Sequence, residues 1–305
     1  MTNASLSGLT AATHTPFYAD GSLNLAVVEQ QAAHLLNNRI TTAFIGGSTG
    51  ECHSLSLAER QALAQRWYEV CHGTSLRFVV HVGSNCISDS KALATQAQQL
   101  GAVAISALAP SYFKPRSLDA LVACVVPIAA AAPQTPFYFY DIPVMTNVSF
   151  SMPAFLAMAK DRVPTLAGIK FTNPDLMAYQ LCLRADSGEW DVPFGCDEFL
   201  LAALSLGAKG AVGSSFNFAA PVYHRIIAAF ERGDLTTARD EQFNSVRLIQ
   251  LLASYGYMGA AKAVMEMCGV PVGPPRLPND SLTATQIADL RCKLETMGFF
   301  DWVTM

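Results

Sequence analysis

Clusters of basic residues are missing from this sequence, and with them goes a large class of partners. Twenty Lys and Arg stand against 24 Asp and Glu, a net charge of -4, and no cationic stripe is present to follow a nucleic-acid backbone. Charged residues are only 14% of the chain while 51% is apolar, which argues against disorder and for a compact body with a large core. No C-x-x-C pair occurs. Cys52, Cys71, Cys86, Cys124, Cys182, Cys196, Cys268 and Cys292 lie far apart, without a His at ligand spacing, and read as reduced, mostly buried thiols. No segment has the uninterrupted apolar length of a membrane span, and the N-terminal MTNASLSGLT lacks the basic and long apolar regions of a signal peptide. The expectation is a cytoplasmic protein with no membrane or nucleic-acid partner.

What is there is an alternation. Short apolar or β-branched runs at 9–13, 42–47, 78–83, 102–108, 136–141, 166–171, 190–195 and 210–214 are separated by amphipathic helical patterns, the signature of βαβ units and a parallel sheet. One of those helices, SLAERQALAQRWYEV, opens with a capping box in which Ser56 and Glu59 satisfy exposed amides reciprocally. Eight strand–helix repeats in this length predict an α/β fold of the TIM (β/α)8 barrel type, residues 1–235. A doubly wound sheet is the alternative, but nothing like G-x-G-x-x-G follows the first strand. Helical patterns without strands fill residues 236–305, interrupted by the proline-rich connector GVPVGPPRLPND, and predict a C-terminal helical extension packed on the barrel.

In such a barrel the reacting groups sit at the C-terminal ends of the strands and in the loops that follow. That rule selects GGSTGE after the second strand, APSYFKP after the fourth, Tyr140 ending the fifth, Lys170 ending the sixth, FGCDE after the seventh and GSSFN after the eighth. Lys170 lies among Ala167, Gly168, Ile169 and Phe171. It is either one half of a structural ion pair or a desolvated amine with a lowered pKa, and a neutral amine can form a Schiff base with a carbonyl.

Tyr138 and Tyr140 alternate by two and share a face, and Tyr140 at the rim is the better placed to move a proton. The glycines of GGSTGE let backbone amides, Ser48 and Thr49 approach an anionic group such as a carboxylate, unless the string is only a turn. No Lys follows, so it is not a Walker loop, and Glu51 reads as structural. Asp197 and Glu198 either complement a helix N-terminus or accept hydrogen bonds from a polyhydroxylated substrate tail.

The ordered set G-S-T-G-E, Y-x-I-P, G-I-K-x-T, G-x-D-E and G-S-x-x-N, from about Leu9 to Pro278, resembles the class I aldolase superfamily that contains dihydrodipicolinate synthase and N-acetylneuraminate lyase. Within it the lyase branch is the nearer. Met145 stands where the synthase branch carries a carboxylate-gripping arginine, Thr172 supplies a hydroxyl two residues after the lysine, and Gly195-Cys196-Asp197-Glu198 and GPPRLP match lyase strings.

The resemblance implies that Lys170 forms the Schiff base with open-chain N-acetylneuraminate (sialic acid) while Ser48 and Thr49 hold its carboxylate. Tyr140 relays the proton as N-acetylmannosamine leaves, and Thr172, Gly195, Asp197, Glu198 and Ser214 bind the sugar part. A pyruvate enamine remains. It further implies no metal or other cofactor, since the iminium is the electron sink, a homotetramer, and a secondary place for Tyr112 near the proton relay. Two departures stand out: Asn147 replaces the usual glycine after the I-P segment, and Phe216 replaces a usual tyrosine. Asn tolerates a left-handed backbone, so that turn is expected to survive. Cleavage or dehydration of another 2-keto sugar acid such as 2-keto-3-deoxygluconate, and a catalytically silent keto-acid-binding relative, are the competing expectations.

Overall fold

The computed structural model describes residues 5–304, so the first four residues of the N-terminal stretch lie outside it. Seven strands form one parallel sheet: β1 (Gly8–Ala12), β2 (Thr42–Ile45), β3 (Arg77–His81), β4 (Ala104–Leu108), β5 (Phe137–Asp141), β6 (Leu166–Phe171) and β7 (Gly210–Gly213). Their order is β6-β5-β4-β3-β2-β1-β7. Around and beyond them run α1 (Val27–Asn37), α2 (Leu57–Cys71), α3 (Ile87–Gln99), α4 (Leu118–Ala130), α5 (Pro143–Thr146), α6 (Met152–Ala159) and α7 (Leu176–Arg184). The chain continues through α8 (Leu200–Leu206), α9 (Phe216–Glu231), α10 (Leu235–Ser254), α11 (Tyr257–Met267), α12 (Ala284–Met297) and α13 (Phe299–Trp302). This is the expected TIM-barrel architecture.

The strand expected at 190–195 is present only as parallel bridges, Gly168 to Asp191, Phe171 to Phe194 and Phe194 to Ala211. Pro193 has no amide hydrogen to give, which interrupts a regular ladder. The segment nevertheless closes the barrel. Ile169 and Phe171 donate to the carbonyls of Asp191 and Pro193 at 3.1 and 2.9 Å, and Val212 donates to Phe194 at 2.8 Å. Gly168 makes that approach possible, since a Cβ there would overlap the Asp191 carbonyl oxygen.

Period-two alternation divides the strand side chains into two cores. Ile45, Val80, Ile105, Phe139, Ile169 and Phe171 pack outward beneath the helices, while Phe44, Val79, Leu108, Tyr138, Tyr140 and Val212 fill the interior. Lys170, between Ile169 and Phe171, therefore faces inward.

The capping box of α2 forms as its sequence predicts, Ser56 accepting from the Glu59 amide and Glu59 from the Ser56 amide. The last barrel helix starts at Phe216 and kinks at Ala219. Pro221 cannot bond the carbonyl four residues back, and that carbonyl, of Asn217, instead accepts from the His34 ring at 2.8 Å.

The C-terminal segment is locked to the barrel mouth by buried charge. The ammonium of Lys262 on α11 stands 2.7 Å from a Glu51 carboxylate oxygen, both side chains almost fully buried. It donates to the carbonyls of Thr15 and Pro274 at 2.9 and 3.0 Å. The other Glu51 oxygen accepts from the Arg276 amide at 2.7 Å, and the Arg276 guanidinium grips Glu59 and lies over Phe17.

Removing one partner of a buried pair strands the other's charge. Glu51→Gln is expected to cost about 3–5 kcal/mol in urea unfolding. The double variant Glu51→Gln/Lys262→Met should recover most of that loss, and a double variant as unstable as the single would refute the pairing argument.

Candidate active site

The strand ends deliver their side chains into one cavity of roughly 570 Å³ at the barrel mouth, with Ser48, Thr49, Tyr140, Lys170, Thr172 and Ser214 on its walls. Lys170 is buried. Its nitrogen lies 3.4 Å from the centre of the Tyr140 ring and 4.8 Å from that of Phe44, and it donates to the Thr172 hydroxyl at 3.4 Å. Among the described residues no carboxylate pairs with it. Desolvation dominates, partly offset by the charge of Asp197, and holds the amine at about 7, far below the ordinary lysine value. The amine is thus largely neutral, and nucleophilic, above that pH.

Tyr140 is gripped edge-on by two rings, Phe44 at 5.9 Å and His81 at 5.8 Å between centres. Its hydroxyl lies 3.4 Å from that of Ser48. Burial pushes the phenol up, so it rests as a proton donor. Tyr138, on the same face, is used differently: its hydroxyl donates to Asp191 at 2.7 Å, tying the interior to the closing segment.

The GGSTGE loop is braced from behind. His81 Nδ1 lies 2.9 Å from the Gly46 carbonyl oxygen, and Arg60 donates to the carbonyls of Gly83 and His81 at 2.8 and 2.7 Å. Burial and the Arg60 charge push the imidazole well below its ordinary value, so it stays neutral with its Nδ1 hydrogen on Gly46. Ser48 and Thr49 are thereby presented to the cavity on fixed backbone.

The FGCDE string behaves otherwise than spacing suggested. Gly195 lines the cavity, whereas Asp197 and Glu198 stand outside that lining. Asp197 is buried and turns to the loop after β7, where its carboxylate accepts from the Ser215 amide at 2.9 Å and from the Ser215 hydroxyl. Burial raises it to about 6. Gly213 leaves room for this clasp, since a Cβ there would overlap the carboxylate. Glu198 is half-buried in the short turn Asp197–Phe199.

Tyr112 is 77% exposed, its ring edge-on to the still more exposed Phe113. Met145 lines the cavity at its rim. Phe216 is buried against the ring of Tyr223, and Asn147 takes the left-handed conformation, φ 51°, as anticipated.

Sequence reasoning missed the contribution of the C-terminal segment. Tyr257, Met258, Asn279 and Asp280 line the same cavity, and the Tyr257 hydroxyl lies 2.8 Å from that of Ser214. Only the Gly256 break before an amphipathic run hinted at a helix start there. Among the described residues no three His, Cys, Asp or Glu side chains gather into a metal-binding group.

The model of the dihydrodipicolinate synthetase family matches residues 5–296. N-acetylneuraminate lyase A of Xenopus laevis is 41% identical over 276 residues, 90% of each chain. In solved structures, the N-acetylneuraminate lyase of Proteus mirabilis superposes with a TM-score of 0.94 at 41% identity, covering 97% of this chain and 99% of that one. The N-acetylneuraminate lyase (sialic acid aldolase) of Aliivibrio salmonicida has the same TM-score and identity, covering 97% and 98%. A lysine amine lowered to about 7 at a barrel-strand end accompanies a match that spans nearly the whole chain: the chain belongs to the dihydrodipicolinate synthetase family and is a lyase of the aldolase type.

Proposed function

We propose that this lyase cleaves N-acetylneuraminate into N-acetylmannosamine and pyruvate through a Schiff base on Lys170. The observation that carries the reading is the Lys170 amine, desolvated to about 7 and set between the Tyr140 ring and the Thr172 hydroxyl. The amine adds to the ketone carbon of the open-chain sugar acid, and loss of water leaves a protonated imine. That imine withdraws the electrons of the carbon–carbon bond one removed from it. The bond breaks as the adjoining hydroxyl passes its proton to the Tyr140 oxygen while the phenol gives its own to the substrate carboxylate held beside it at Ser48. The aldehyde product leaves, and the enamine is protonated at carbon and hydrolysed to pyruvate.

Ser48 and Thr49 hold the substrate carboxylate, and Thr172, Gly195 and Ser214 face the sugar. Asp197 contributes through the loop it clasps, and Glu198 from the turn beside it. All eight cysteines are unbridged, which supports a reducing, cytoplasmic setting, and no helix among the described residues is long and apolar enough to cross a membrane. The exposed pair Tyr112 and Phe113 is the kind of surface a second subunit covers, in keeping with a homotetramer.

Two outcomes are expected. First, borohydride reduction in the presence of pyruvate should leave a covalent adduct on Lys170, and N-acetylneuraminate should give the same adduct faster than 2-keto-3-deoxygluconate does. Lys170→Met should abolish adduct and cleavage together, while adduct elsewhere in the chain would refute the assignment. The folded pKa of Lys170 lies below its unfolded value, so the unfolded state binds the extra proton and folding is penalised in full below pH 7. Lys170→Met should therefore melt at higher temperature than wild type below that pH.

Second, the rate of pyruvate adduct formation should climb with pH through about 7, as the amine loses its proton, and then level off. A rate still rising with the same slope two units higher would show an ordinary exposed lysine.

A further inference from the structure

We propose that Tyr257 is a specificity-determining residue, its hydroxyl and that of Ser214 together forming a dyad that recognises the polyhydroxylated tail of the substrate. The inference deepens the aldolase reading and rests on it. Both residues line the cavity that holds Lys170, but from another wall. Lys170 and Tyr140 come from β6 and β5, whereas the dyad joins the loop after β7 to the first turn of α11.

The two oxygens are 2.8 Å apart, so one hydroxyl donates to the other. The pair then retains one free O–H and several lone pairs, the donor and acceptor set that suits neighbouring hydroxyls of an open-chain sugar. Burial and the charge of Asp197 push the Tyr257 phenol up, which keeps it protonated and able to donate.

The phenol is also held in place. At Gly259, in the same turn, a Cβ would overlap the Asp280 carbonyl oxygen, so α11 is seated tightly on the chain after Pro278. Further along α11, Lys262 is fixed to Glu51 and to the Thr15 and Pro274 carbonyls. The partner hydroxyl is equally constrained, because Asp197 clasps Ser215 beside it. A rigid donor pair discriminates, since a substrate lacking the matching hydroxyls leaves it without partners.

Tyr257→Phe keeps the ring and removes the hydroxyl. Steady-state cleavage of N-acetylneuraminate should show a KM raised by about tenfold, the worth of one hydrogen bond, with kcat within about twofold. Pyruvate carries no tail, so its half-saturating concentration in borohydride trapping should be unchanged. Ser214→Ala added to Tyr257→Phe should raise KM by less than the two separate effects combined, because the residues act as a pair.

An unchanged KM for N-acetylneuraminate would overturn the proposal. So would an equal loss for pyruvate and N-acetylneuraminate, which would mark Tyr257 as merely structural. Failure of the wild-type protein to trap pyruvate is a separate result that would remove the aldolase reading itself, and this inference with it.

Discussion

An ammonium taken out of water without a paired carboxylate loses its proton far more readily, and Lys170 sits under that constraint, its pKa lowered to about 7. Everything that makes its surroundings dry is also part of the barrel's own stability. Ile169 and Phe171 bury themselves beneath the helices, which forces the residue between them into the interior. There, aromatic rings rather than carboxylates receive it. The core that stabilises the fold therefore sets the protonation state of the amine, and the same burial keeps the Tyr140 phenol protonated beside it.

Charge that is fully buried elsewhere in the molecule is treated in the opposite way. Lys262 is also desolvated, yet it meets the Glu51 carboxylate and two carbonyls and so serves as a fastening. Glu51 holds a left-handed backbone angle, φ 55°, at the end of the loop that carries Ser48 and Thr49. Arg60 and His81 brace that loop from the other side. The two buried lysines differ in their neighbours, and that difference separates an amine set among aromatic rings from one fastened to a carboxylate.

Much of the fold was legible along the chain. Apolar runs at strand spacing, the Ser56–Glu59 capping box and the proline-rich connector all depend on local backbone preferences, which the residues carry with them. That Lys170 takes the face opposite Ile169 and Phe171 follows from alternation alone, and the left-handed turn at Asn147 from what asparagine tolerates. The segment 190–195 was legible as the eighth wall of the barrel but not as a set of bridges, because Pro193 breaks the ladder while its neighbours keep the register. The continuation of α9 through its kink was hidden because the carbonyl that Pro221 leaves free is satisfied by His34, 183 positions earlier in the chain.

The sequence by itself determined a parallel α/β barrel, the lysine at the end of its sixth strand and the hydroxyl-bearing loops around it, since each follows from periodicity and from where barrel strands end. Only the tertiary structure decided that Lys170 has no carboxylate partner among the described residues while Lys262 has one, that Asp197 turns to Ser215, and that Tyr257 joins Ser214 across 43 positions of chain. Those outcomes depend on which side chains approach through space, and contacts between distant segments leave no periodic trace along the chain.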